Sequence, residues 1–167
     1  VLAAERIAAA LPEVVATVGR IAASPGAMNV IPGKARFSLD VRAPTDERRL
    51  AAVEAIQREF AAIAQRRAVD LSVASLWEAK TAPCAAGMQR QFAAAIHDEG
   101  VRVHHLPSGA GHDGMAIIDI APIGMLFVRC AGGVSHNPAE AVALADVATG
   151  TRVLARFILN FAPPIRS

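Results

Sequence analysis

Two periods of apolar spacing run along this chain. Residues 2–15 carry apolar side chains at helical spacing, with Pro12 marking the approach to the helix end. "VATVGRIAA" (15–23) reads as a strand, and "SPGAMNVIPGK" (24–34) holds two Pro-Gly pairs, which signal turns. In "ARFSLDVRA" (35–43), Phe37, Leu39 and Val41 alternate with Arg36, Ser38, Asp40 and Arg42. A period of two describes a strand with one buried and one polar face. "PTDERRLAAVEAIQREFAAIAQRRA" (44–68) returns to helical spacing, with Thr45 or Asp46 as cap and Leu50, Val53, Ile56, Phe60 and Ile63 as the apolar stripe. "VDLSVASLWEA" (69–79) alternates again and predicts a third strand.

Residues 1–79 thus predict helix–strand–strand–helix–strand, an α+β layer with two helices on one face of an antiparallel sheet. It is ferredoxin-like with the first strand of the βαββαβ unit missing. The pattern changes near residue 80. A helix over 85–99 ends at Gly100, and "VRVHHLP" (101–107) reads as a short strand or connector. A glycine loop and a helix from about His112 follow. "APIGMLFVRC" (121–130) has the continuous apolar character of a strand buried on both faces, as in α/β sheets. A second glycine loop leads to a final helix at about 139–161. The expectation is two subdomains, 1–79 and 80–167.

With 167 residues, more than half of them apolar, the chain has material for a core. The net charge of +2 is too small and dispersed for nucleic acid, and one tryptophan with no tyrosine makes no base-stacking platform. No apolar run approaches the roughly 20 residues of a membrane span. Cys84 and Cys130 lack CxxC spacing and read as packing residues in a reducing cytoplasm. The chain opens "VLAAERIAAALPEVV", without an initiator methionine or signal peptide pattern, and reads as though cut from something longer.

Candidate chemistry concentrates in two loops. His136, in "GGVSHNPAE", follows the apolar run and precedes a helix. Ligands gather at the carboxyl ends of strands in open α/β sheets, so the position suits a metal ligand or an acid–base group. The alternative is a loop histidine bonded to nearby backbone. His112 follows Gly109, Ala110 and Gly111, whose small side chains let backbone amides approach a ligand. A histidine there can donate to a developing oxyanion, while Ser108 or Asp113 can serve as a helix cap. Arg42 ends a polar strand face, and its fork suits a carboxylate; Asn29 sits in the double turn. Singly, these two also read as a surface cation and a turn residue.

Taken in order, "GAMNVIPGKARFSLDVR", "LPSGAGHDGM" and "FVRCAGGVSHNPAE" resemble the hydantoinase/carbamoylase amidases of the di-zinc aminopeptidase/carboxypeptidase-like superfamily. That group includes allantoate amidohydrolases, N-carbamoyl-L-amino-acid hydrolases and β-ureidopropionases. The resemblance implies a lid and dimerisation domain over 1–79 and the C-terminal α/β portion of a di-zinc exopeptidase-like catalytic domain over 80–167. It implies metal-dependent hydrolysis of a carbamoyl or ureido carbon–nitrogen bond with two divalent ions, zinc or manganese. His136 would be a metal ligand and His112 the stabiliser of the tetrahedral intermediate. Asn29 and Arg42 would hold the substrate's carboxylate, and Gly109, Ala110 and Gly111 would line its pocket. The partners implied are a small carboxylate substrate and a second copy of the chain.

The family's other metal ligands and its glutamate base fall upstream of Val1, and no His-x-Asp or Glu-Glu pair replaces them. One histidine does not make a zinc site. The chain alone is therefore expected to be inert, with an unpaired sheet edge prone to association. A non-catalytic oligomerisation module is the competing reading. A peptide or acyl hydrolase of the same superfamily is a third, against which "NVIPG" with "GAGHD" speaks.

Overall fold

The structure, a computed structural model, describes residues 1–163; the end of the expected second subdomain, 164–167, lies outside them. They divide into two compact units, Val1–Thr81 with Pro107–Ala110, and Ala82–Leu106 with the residues from Gly111 onward.

The first unit contains helix α1 (Leu2–Ala10), strands β1 (Val15–Ser24) and β2 (Lys34–Arg42), and helix α2 (Asp46–Arg67). β1 and β2 form an antiparallel hairpin with Val15 opposite Arg42 and Ser24 opposite Lys34, interrupted by an irregularity between Thr17 and Arg20. The alternation in β2 leaves Phe37, Leu39 and Val41 half-buried and Asp40 and Arg42 exposed. Phe37 meets Phe60 of α2 edge-on, with ring centroids 5.7 Å apart. Ala4 and Ala8 of α1 are buried, as are Ala52 and Ile56 of α2. Alanines at a helix contact let two backbones approach closely. α2 starts where Thr45 Oγ1 accepts from the Arg48 amide at 3.3 Å, and it ends at Ala68, a left-handed cap with φ 51°.

One expectation for this unit is met and one needs correction. α1 ends at Ala10, where Pro12 signals its end, because the proline disfavours helical backbone at Leu11, which is extended (φ −109°, ψ 117°). Residues 69–79 form no strand: among the described residues the sheet has two strands only. Alternating side chains supply a face, but a strand exists only where a neighbouring backbone completes its ladder. Leu76 and Trp77 accordingly stand 88% and 78% exposed. The segment's end is tethered instead. The Asp46 carboxylate accepts from the Thr81 amide at 3.1 Å, and Arg49 donates to Glu78 at 2.9 Å.

The second unit holds α3 (Ala86–Asp98), a single turn α4 (Gly114–Ile117), a 3-10 turn (Ala131–Gly133) and α5 (Leu144–Leu159). Its core lies between α3 and α5, where Phe92 and Phe157 stack with centroids 3.8 Å apart beside buried Ala95 and Val153. Met88, Ile96 and Leu126 pack around them. At the end of α3, Glu99 takes 2.8 Å hydrogen bonds from both Arg152 and Arg156 of α5. These bonds, Arg152 first, hold the Glu99 carboxyl below its ordinary pKa against the opposing effect of desolvation.

Here too an expected strand is corrected, since 121–130 joins no ladder among the described residues, while 101–107 is the connector of its two readings. Residues 121–130 lie against the helices: a Cβ on Gly124 would stand 3.0 Å from Phe92 Cε2, and one on Gly150 of α5 would stand 2.8 Å from Val128 Cγ2. The run is not buried on both faces as expected: Phe127 and Val128 stand 49% and 43% exposed, because helices cover one side of it and no strand stands beside it among the described residues. The helix expected from about His112 is one turn only, and α5 begins at Leu144 instead of 139. The intervening residues form a loop closed by the Ala131 amide donating to the Ala141 carbonyl at 2.7 Å.

The close approach at Gly150 yields an expected result. Gly150→Ala gains about 1 kcal/mol of helix propensity but costs about 1–3 kcal/mol through overpacking against Val128. The urea midpoint should fall, and adding Val128→Ala should recover part of the loss. An increase with Gly150→Ala alone would show that Val128 yields freely. Among the described residues no helix is long and apolar enough to cross a membrane.

Candidate active-site loops

Arg42 ends β2 with its guanidinium tied on two sides. Nε and Nη2 donate to Asp40 Oδ2 at 2.9 and 2.5 Å, and Nη1 donates to the Gly109 carbonyl at 2.6 Å. The hydrogen bonds to Asp40, reinforced by its charge, raise the Arg42 pKa above its ordinary value. The side chain is 55% exposed, so solvent screening keeps this pair weak. Its consequence is positional: Arg42 holds the loop containing Gly109 and Ala110 against the end of the hairpin. Ser108 Oγ tightens the same loop by accepting from the Ala110 amide at 3.2 Å.

Asn29 stands elsewhere. It lies in the turn between β1 and β2, in a loop closed by the Gly33 amide donating to the Ser24 carbonyl at 3.0 Å. Arg42 is at the opposite end of β2, across from Val15. At the ordinary strand rise, the eight steps from Lys34 to Arg42 span about 26 Å. Within one chain the structure therefore does not bring Asn29 to Arg42.

His112 and Gly111 belong to the second unit and start its single helical turn, where the His112 carbonyl accepts from the Met115 amide at 2.9 Å. Asp113 makes no side-chain cap there, which removes one alternative reading of that loop. His136 is exposed and adopts φ 55°, a left-handed conformation uncommon outside glycine. Gly132 and Gly133, at φ 64° and 70°, fold the chain sharply ahead of it. Around His136 two contacts converge that sequence reasoning did not identify. Ser135 Oγ lies 2.8 Å from Nδ1, and the His136 amide donates to Glu140 Oε2 at 2.8 Å. The signal available in the sequence was "SHNPAE", where Asn137 and Pro138 form a turn that brings a carboxylate back toward the histidine. Asn137 Oδ1 completes that turn by accepting from the Ala139 amide at 2.9 Å.

No group of three or more His, Cys, Asp or Glu side chains able to hold a metal ion occurs among the described residues. His136 is one residue that could contribute a ligand, its Nδ1 lying against Ser135 Oγ. The described residues do not complete a metal site.

Residues 6–160 match the profile of Peptidase family M20/M25/M40. The chain is 36% identical over 146 residues to an N-carbamoyl-L-amino-acid amidohydrolase of Pseudomonas sp. (strain NS671), an alignment covering 87% of this chain and 35% of that protein. It is 38% identical over 159 residues to a probable allantoate deiminase of Oryza sativa subsp. japonica, covering 89% of this chain and 32% of the other. Among solved structures it is similar to a hydantoinase/carbamoylase family amidase from Burkholderia multivorans, with a TM-score of 0.83 and 28% identity over 95% of this chain and 40% of that one. The chain thus spans about a third of the length of these curated relatives.

Proposed function

Because the chain belongs to Peptidase family M20/M25/M40, we propose that it is the lid and C-terminal catalytic portion of an amidohydrolase acting on carbamoyl or ureido compounds that bear a carboxylate. The observation that carries this is the pair of preformed loops, one held by Arg42 on Gly109 and one folded around His136, in a chain similar to carbamoyl-amino-acid and allantoate hydrolases. Residues 1–79 form the lid and 80–167 the catalytic portion.

In the whole protein two divalent ions, zinc or manganese, supply Lewis acidity and an activated water when bound. His136 contributes one of their ligands. His112 donates to the oxygen that gains charge as the carbonyl carbon becomes tetrahedral. The backbone of Gly109, Ala110 and Gly111 lines the substrate's path, and the small side chains permit close approach. Arg42 pairs with the substrate carboxylate, for which it exchanges part of its contact with Asp40. Asn29 serves the same carboxylate from a second copy of the chain, a reading supported by the length of β2 that separates it from Arg42 in one copy. The 167 residues alone supply one metal ligand and are inert.

The test is a chimera in which these residues replace the matching third of the Pseudomonas amidohydrolase. It is expected to hydrolyse N-carbamoyl-L-amino acids or allantoate and to leave dipeptides intact. Dipeptide hydrolysis without ureido hydrolysis would replace the amidohydrolase reading with a peptidase one. A folded, metal-loaded chimera with neither activity would favour the non-catalytic module.

A further inference from the structure

His136 has both its ring and its backbone held by neighbours within the same short loop. The Ser135 hydroxyl lies 2.8 Å from its Nδ1, and Glu140 Oε2 accepts from its amide at 2.8 Å. The ring contact permits two arrangements. If the hydroxyl donates to Nδ1, the proton sits on Nε2 and the ring offers no lone pair. If Nδ1–H donates to the hydroxyl oxygen, Nε2 is the bare nitrogen. The backbone contact settles what Glu140 does: a non-glycine residue at φ 55° costs on the order of 1 kcal/mol, and a carboxylate on its amide offsets that cost. Asn137 turns the chain so that Glu140 reaches back, with the Glu140 amide itself donating to the Asn137 carbonyl at 2.9 Å.

We propose that Ser135 and Glu140 are positioning residues for His136: Ser135 accepts from Nδ1–H and so leaves Nε2 as the lone-pair nitrogen, and Glu140 holds the left-handed backbone that presents the ring. The inference rests on the proposed ligand role of His136 and names what orients it. A histidine that binds a metal donates its other ring N–H to a fixed acceptor, which sets tautomer and orientation together. Neither Ser135 nor Glu140 touches the reacting atoms.

The experiment is NMR on the ¹⁵N-labelled 167-residue chain at about pH 8, above the ordinary imidazole range. Long-range proton–nitrogen spectra should show His136 protonated on Nδ1 and bare on Nε2. Ser135→Ala should move it toward the Nε2–H tautomer, and Ser135→Thr, which keeps the hydroxyl, should restore the wild-type pattern. Amide exchange at His136 should accelerate at least about tenfold in Glu140→Ala and return most of the way in Glu140→Gln, which keeps an acceptor. A wild-type Nε2–H tautomer, or one indifferent to Ser135→Ala, overturns the role of Ser135. Unchanged His136 exchange in Glu140→Ala overturns that of Glu140. Metal content of the chimera separates the underlying reading: a His136→Ala variant that keeps its full metal complement, while the chain shows the predicted tautomer, refutes the ligand role and leaves the positioning intact.

Discussion

His136→Ala in the chimera is expected to lower kcat/KM for N-carbamoyl-L-amino acids by at least about 100-fold while leaving the fold unchanged. The side chain is exposed on a loop, so its removal opens no cavity and breaks no core contact. Alanine keeps the backbone amide that donates to Glu140, although the left-handed φ of 55° carries a similar strain with either residue. What alanine removes is the imidazole alone. Loss of a residue that merely orients a ligand costs 10–100-fold in affinity or activity, and loss of the ligand itself should meet or exceed that range. The check is steady-state kinetics beside circular dichroism and metal content. A fall below about fivefold would show that His136 is a loop histidine, the alternative its position also allows.

Phe157→Ala should be the most damaging single change to the stability of the second unit, by about 3–5 kcal/mol. Phe157 is 8% exposed, stacks on Phe92 at 3.8 Å and meets Phe161 at 5.5 Å. Few other side chains share the load, since the buried cluster is completed by Phe92, Ala95 and Val153. A small core has little to close over a lost ring, so the cavity persists. Against a total stability of about 5–15 kcal/mol for an ordinary domain, this loss approaches unfolding of the unit. Urea denaturation followed by circular dichroism reads the effect. The ion pairs of Glu99 with Arg152 and Arg156 should not compensate, because both arginine side chains are largely solvated. A loss under 1 kcal/mol would mean that the α3–α5 contact is not what holds this unit together.

The elements most legible in the sequence were those whose signals are local. Thr45 caps α2 through a hydrogen bond three residues away, and Phe37, Leu39 and Val41 place one face of β2 by alternation alone. Residues 69–79 and 121–130 carry strand patterns yet form no strand, because a pattern of side chains cannot say which backbone stands beside it. Pro12 is a local signal of the same kind as the Thr45 cap, and α1 ends just before it with Leu11 already extended. For the site, the two loops were visible from glycine and histidine placement. The tie from Arg42 to the Gly109 carbonyl was not, since it joins positions 67 residues apart. Ser135 and Glu140 lay within the quoted motif, but their roles depend on a positive φ at His136 that composition does not announce.

The most direct test of the account is the amino acid released from an N-carbamoyl-L-amino acid by the chimera, measured before chelation, after chelation, and after zinc or manganese is restored. The account predicts release, its loss on chelation and its recovery with metal, with ammonia and carbon dioxide formed in equal amount. A chimera that folds and carries its metals yet releases no amino acid at any stage would contradict it.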